Sequence, residues 1–203
     1  MALRLAIGYW RRQVFSTRDF QNQGEALLSG TLRKHFNTTD YHLLNHITLK
    51  HGDGTTQIDH ILISRFGVFV IETKNYKGWI FGDAKHETWT QTTFNSKFKF
   101  QNPIHQNYRH VLAVRALLDF VPPDLIHSVV AFVGDAEFKT DMPAGVFKRP
   151  QLVEHLRSYT EDVLSLNRVQ FCVGRLETAR LIISEKTDLE HVQDLQRRYG
   201  QAP

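Results

Sequence analysis

"QIDHILISRFGVFVIETKN", residues 57–75, decides how the chain is read. Two apolar segments, "HILIS" and "VFVIET", flank Arg65-Phe66-Gly67, and apolar residues on both faces mark inner strands. A turn there folds them into a hairpin. Yet Asp59 stands in the first strand, and Glu72 and Lys74 in the second. Strand side chains alternate, so Glu72 and Lys74 share a face, and the hairpin brings Asp59 opposite Glu72 to within a few residues of register. Paired charges on a strand are more often a solvated ion pair at its end; here the apolar surroundings argue for a site. Two neighbouring carboxylates repel, and burying either is costly, so such a pair normally holds a cation. Carboxylate oxygens with room for water suit magnesium or manganese better than zinc. Beside that ion, Lys74 would orient the attacking water, help deprotonate it or neutralise charge at phosphorus. The chemistry indicated is phosphodiester hydrolysis.

Working outward, "STRDFQNQGEALLSGTLRKHF" predicts an amphipathic helix over about 19–36, with Glu25 in its first half. "DYHLLNHITLKHGDGTTQIDHILIS" predicts two strands joined at Asp53-Gly54. Short strands follow, one carrying Trp79 and Ile80 and the next Trp89. A helix over about 103–120 starts with Pro103 in its first position and ends at Pro122-Pro123. "IHSVVAFVG" reads as a buried strand, and "RPQLVEHLRSYTEDVL" and the tail as helices, the last over about 188–199. A strand returning after a helix predicts an α/β fold, a central mixed sheet flanked by helices.

The 203 residues suit one core, and 41% hydrophobic with 23% charged residues excludes disordered and fibrous classes. The single cysteine, Cys172, precludes an internal disulfide, and no Cys/His spacing of the zinc-finger kind is present, which fits a reducing cytoplasm. A net charge of +4 with 11 histidines leans the surface weakly towards polyanions. "MALRLAIGYWRRQ" is interrupted by Arg4 and too short for a membrane span, so residues 1–18 are expected as an N-terminal extension and 19–203 as one domain. No membrane contact is evident in the sequence, and homo-oligomerisation is left open.

"GEALLSGTLRK", "DGTTQIDHILISRFGVFVIETKNYKGWIFG", Trp89 and "NPIHQNYRHVLAVRALL", in this order and spacing over residues 20–120, resemble the nuclease-related domain (NERD) family of the PD-(D/E)XK superfamily. The resemblance implies a restriction-endonuclease-like α-β-β-β-α-β core. It implies a Mg²⁺- or Mn²⁺-dependent deoxyribonuclease of the endonuclease type, with DNA as partner. Asp59 and Glu72 fall on the family's metal-binding carboxylates, Lys74 on its lysine, Glu25 on its helix glutamate and Gln106 on its later glutamine. The superfamily's Pro-Asp pair is Ile58-Asp59 here, and the missing proline does no chemistry. By helix position alone Glu25 is more often a surface or capping group, and Gln106 a surface one.

Asn102, Gln106 and Arg109 lie three and four apart and would share a helix face towards a phosphate, with Lys77 nearby. His60 is expected to pack on the opposite face from Asp59, and His105 and His110 to fall beside the Asn102/Gln106 stripe, none as a ligand. Lys77, Lys85, Lys97, Lys99 and Arg109 bracket the site with Tyr76, Trp79 and Phe98 interleaved, a pattern that could track a backbone and stack a base, although alternating aromatics are more often core. The alternatives to an enzyme are a nucleic-acid-binding module with the same fold, and a structural domain, whose sign would be a closed pocket around Glu72 and Lys74.

Overall fold

In the computed structural model, which describes residues 22–199, the hairpin forms as β2 (Gly54–Ser64) and β3 (Gly67–Lys74), turning at Arg65-Phe66. The N-terminal extension expected at 1–18 lies outside the described residues. β2 also pairs antiparallel with β1 (Tyr41–His51), whose end residue His51 faces Gly54. The central turn residues are therefore Gly52 and Asp53, one position earlier than the Asp53-Gly54 expected. Gly52 takes φ 59°, the left-handed conformation that primed hairpin turns demand at their first central position.

Beyond β3 the sheet continues in parallel with β7 (Ile126–Phe132) and then β9 (Val146–Lys148), giving the order β1-β2-β3-β7-β9. Between β3 and β7 the chain forms a second sheet from β4 (Gly78–Phe81), β5 (Thr88–Thr93) and β6 (Ser96–Gln101), completed by β8 (Ala136–Phe138) in the order β6-β5-β4-β8. β6 was not expected as a strand. Its "SKFKFQ" alternates with period two, but only Phe100 enters the core, so the usual apolar-face signal is weak.

The α-helices among the described residues are α1 (Gln23–His35), α2 (Pro103–Leu117), α3 (Arg149–Arg157), α4 (Leu166–Ala179) and α5 (Glu185–Tyr199), and a single 3₁₀ turn spans Pro123–Leu125. Asn22, extended, caps α1, so the helix begins later than the expected 19. α2 stops at Leu117, short of the expected 120 and of the prolines, and α3 stops at Arg157, short of 164. α1-β1-β2-β3-α2-β7 reproduces the expected core order with the β4–β6 meander inserted before α2.

Sheet alternation sorts the core into layers. Ile61, Ile63, Val68 and Val70 meet Val111 and Val114 of α2 and Cys172 and Leu176 of α4. Leu62, Phe69 and Ile71 meet Leu28 and Leu32 of α1 and Leu152 and Leu156 of α3. A third cluster packs Ile80, Trp89 and Phe100 of the second sheet on Val130 and Phe132 of β7. Asp59, Glu72 and Lys74 carry the parity of the face that α2 covers.

Asn107 fastens α2 to that face. Its fully buried amide shares its two N–H groups among three acceptors, with Nδ2 2.9 Å from Val70 O, 3.0 Å from Val129 O and 2.9 Å from Ser128 Oγ. Asn107→Ala leaves these acceptors without their shared donor and is expected to lower unfolding stability by about 2–3 kcal/mol. Urea unfolding followed by circular dichroism checks this; a midpoint unchanged from wild type would remove Asn107 from that role.

Candidate active site

The β2–β3 register, His60 to Ile71 through Ser64 to Gly67, extends by one pair to set Asp59 opposite Glu72. There the ladder stops, and the Thr73 N–H donates to Asp59 Oδ2 at 2.6 Å. The β1–β2 ladder also skips at this level, between Asn45–His60 and Ile47–Ile58, where His46 adopts φ 51°. Asp59 thus sits where the pairing is interrupted on both sides of its strand, and its carboxylate replaces a main-chain acceptor.

Glu72 is almost fully buried, with both oxygens engaged. Lys74 Nζ donates to Oε1 at 2.6 Å, and His110 Nε2 lies 3.1 Å from Oε2. An ionised carboxylate only accepts, so His110 Nε2 is the donor, leaving Nδ1 to meet the Thr56 hydroxyl at 2.7 Å. Lys74 also donates to Gln106 Oε1 at 2.9 Å. A chain of contacts therefore runs Thr56–His110–Glu72–Lys74–Gln106.

Gln106 and His110 lie four apart on α2, one helical turn, and both reach the site. The expectation that His110 falls beside the Asn102/Gln106 stripe, and not on it, is corrected here; the signal was its spacing from Gln106. Asn102 does not join them. It is fully buried as the cap before Pro103: Oδ1 accepts from Ile104 N–H, and Nδ2 donates to the carbonyls of Asp83 and His86. It precedes the helix and does not share a helix face with Gln106. Lys77 is exposed in the link to the second sheet, and Arg109 is half-buried on α2. His60 packs on the far face as expected, its Nδ1 2.7 Å from Asn45 Oδ1, and His105 binds Ala84 O.

Glu25 stands in the first turn of α1, where the Asn22 side chain both accepts from its N–H and donates to its Oε1. A Cβ on Gly24 would lie 2.5 Å from the Asn75 Cβ, so only glycine lets the start of α1 approach the end of β3 this closely. Glu25 Oε2 lies 4.0 Å from His46 Nδ1, and His46 Nε2 is 3.0 Å from Asp188 Oδ1 of α5. Burial pulls the His46 pKa down, but Asp188 and Glu25 outweigh it and hold it at about 9, so His46 is a cation between two carboxylates. Nothing local in the sequence pointed to His46, because its partners come from distant segments.

Burial, then the charges of Glu72 and Glu25, push the Asp59 carboxyl well above its ordinary range, and burial raises Glu25 as well. Burial also pushes Glu72 up, but Lys74 and His110 overcome it and hold Glu72 below the usual carboxylate range. Burial lowers Lys74, and Glu72 more than reverses this, so Lys74 remains an ammonium. The Lys74 side chain keeps 15% exposure and Asp59 is half-buried, so solvent reaches both. Among the described residues no three or more His, Cys, Asp or Glu side chains meet as a ready coordination cage. Asp59, Glu72 and Glu25 are the side chains here that could offer oxygen donors to a hard cation keeping most of its own waters.

Comparison with known proteins agrees with the resemblance. The nuclease-related domain family model matches residues 21–133. An uncharacterized protein of Bacillus anthracis is similar, 36% identical over 183 residues that cover 87% of this chain and 84% of that protein. No solved structure matches.

Proposed function

The chain belongs to the nuclease-related domain family, and from that premise we propose that it is a metal-dependent nuclease hydrolysing DNA phosphodiester bonds at Asp59, Glu72 and Lys74. The observation that carries the reading is Asp59 opposite Glu72 at the broken end of two ladders, with the Lys74 ammonium beside them. Asp59 and Glu72, supported by Glu25, would hold Mg²⁺ or Mn²⁺. When bound, such an ion supplies Lewis-acid polarisation of the phosphoryl group and a more acidic water. The repulsion that Glu72 and Glu25 exert on the Asp59 carboxylate fits that role.

Lys74 serves as a fixed positive charge. It keeps its proton, so it stabilises negative charge developing at phosphorus and orients the attacking water without taking its proton. Gln106 holds the ammonium from α2, and His110 holds the Glu72 carboxylate in one rotamer.

Plasmid cleavage with Mn²⁺ tests the proposal. Wild type should nick DNA in Mn²⁺ and not in EDTA, and Glu72→Ala should lose about 10²–10³-fold or more in rate. Cleavage that persists in EDTA, or a Glu72→Ala variant as active as wild type, would sink it. One observation favours a second reading, a nucleic-acid-binding module with little turnover: both Glu72 oxygens already have protein partners. Metal-independent binding with a steep salt dependence and no cleavage would select it.

A further inference from the structure

We propose that the outward face of the second sheet is a stacking platform for unpaired, single-stranded nucleic acid, an inference that rests on the nuclease reading and narrows its substrate. Register fixes what this face carries. Trp79 pairs with Thr92 and Phe81 with Thr90, while Thr92 pairs with Lys97 and Thr90 with Lys99. Paired residues share a face, so two parallel rows run across three strands: Trp79, Thr92, Lys97 and Phe81, Thr90, Lys99. Ile80, between the aromatics, points the other way and is fully buried.

The outer face of a half-covered antiparallel sheet is ordinarily polar, yet Trp79 is 49% and Phe81 38% exposed at successive outward positions. Lys97 and Lys99 are exposed and have no ion pair among the described residues. Two strand spacings put these ammonium groups about 10 Å across the sheet from the rings. Aromatic rings in line beside a parallel row of cations fit bases on the rings and phosphates along the lysines. An acidic protein surface would use the lysines but would gain nothing particular from the rings, and a duplex would keep its bases stacked inside.

Trp79 is held in place by Lys139, whose Nζ lies 4.8 Å from its ring centroid. A base would displace that exposed ammonium, which is the weaker partner for the ring. Only Asn75, Tyr76 and Lys77 separate Lys74 from the start of β4, so the platform begins within about 15 Å of the site. Phe98 and Tyr76 are not part of it: Phe98 has the parity of buried Phe100, and Tyr76 packs on Phe100 and Phe132.

The test is fluorescence anisotropy of labelled oligo-dT, and of its duplex with oligo-dA, in EDTA at several salt concentrations. Wild type should prefer the single strand. Trp79→Ala/Phe81→Ala should weaken oligo-dT binding about tenfold or more and leave the duplex unchanged, while Trp79→Phe should retain most of the affinity. Lys97→Ala/Lys99→Ala should lower the slope of log K against log salt by about 1.4. Unchanged oligo-dT affinity in the aromatic double variant, an equal loss on duplex, or a lowered melting temperature without a binding change, as expected if another part of the chain covers the rings, would overturn the platform. Ring-dependent binding without cleavage in any divalent ion would overturn the nuclease reading alone, and cleavage with ring-independent binding would overturn the platform alone.

Discussion

Lys74→Ala is expected to abolish measurable cleavage and also to destabilise the fold by about 3–5 kcal/mol in EDTA, because removing one partner of a buried ion pair leaves the other uncompensated. Glu72 would keep His110 but lose the cation that holds its carboxyl ionised, within a cluster already containing Asp59 and Glu25. The proposed metal separates the two effects. Mn²⁺ should return much of the lost stability, by about 2.7 kcal/mol at one hundred times its dissociation constant, but not the cleavage that depends on a positive charge at that position. Thermal unfolding with and without Mn²⁺, beside a plasmid assay, reads both. A Lys74→Ala protein as stable as wild type in EDTA would contradict the ion pair, and one that cuts normally in Mn²⁺ would contradict the catalytic role.

Acid should unfold the protein partly through His60. This imidazole is fully buried, and burial lowers its pKa from 6.5 to about 3. A depressed folded pKa means that the unfolded chain binds the proton first, so stability is present above pH 6.5 and lost as pH falls towards 3. From pH 7.5 to 4.5 the loss from this group alone is roughly 2–3 kcal/mol. Asp59 and Glu25 act oppositely. Their raised pKa values give stability that is full below the ordinary carboxylate range and is lost as pH rises through the folded values. Glu72, held low, loses its contribution as pH falls through and below the ordinary glutamate range. His60→Gln isolates the histidine. Its urea midpoint should fall less between pH 7.5 and 4.5 than that of wild type, and parallel losses in the two proteins would reject the assignment.

Much of this arrangement was legible in the hairpin itself. Arg65-Phe66-Gly67 fixes the turn, and alternation from that turn sets Asp59 opposite Glu72 and Lys74 beside it. Pro103 in the first helical position already made Asn102 a cap, a consequence in conflict with the phosphate-facing stripe that the three-and-four spacing suggested. Gln106 reaches Lys74 through a four-residue helical step that carries His110 to Glu72 as well, so that residue was readable from spacing. His46 was not. Its partners, Glu25 and Asp188, lie on α1 and α5, and such long-range meetings depend on how the helices dock. β8 and β9 are three residues each, too short to carry a period, and gain their pairing from strands already in place.

The interrupted ladders around Asp59 have a consequence for when the site can exist during synthesis. The hairpin by itself aligns Asp59 with Glu72, but Gln106 and His110, which hold Lys74 and Glu72, follow only after the whole β4–β6 meander. A nascent chain that has emerged only as far as β3 carries the acidic residues without those supports, so the complete constellation belongs to a chain in which α2 has docked. The arrangement of Asp59, Glu72 and Lys74 with Gln106 and His110 is therefore complete only once most of the core has closed.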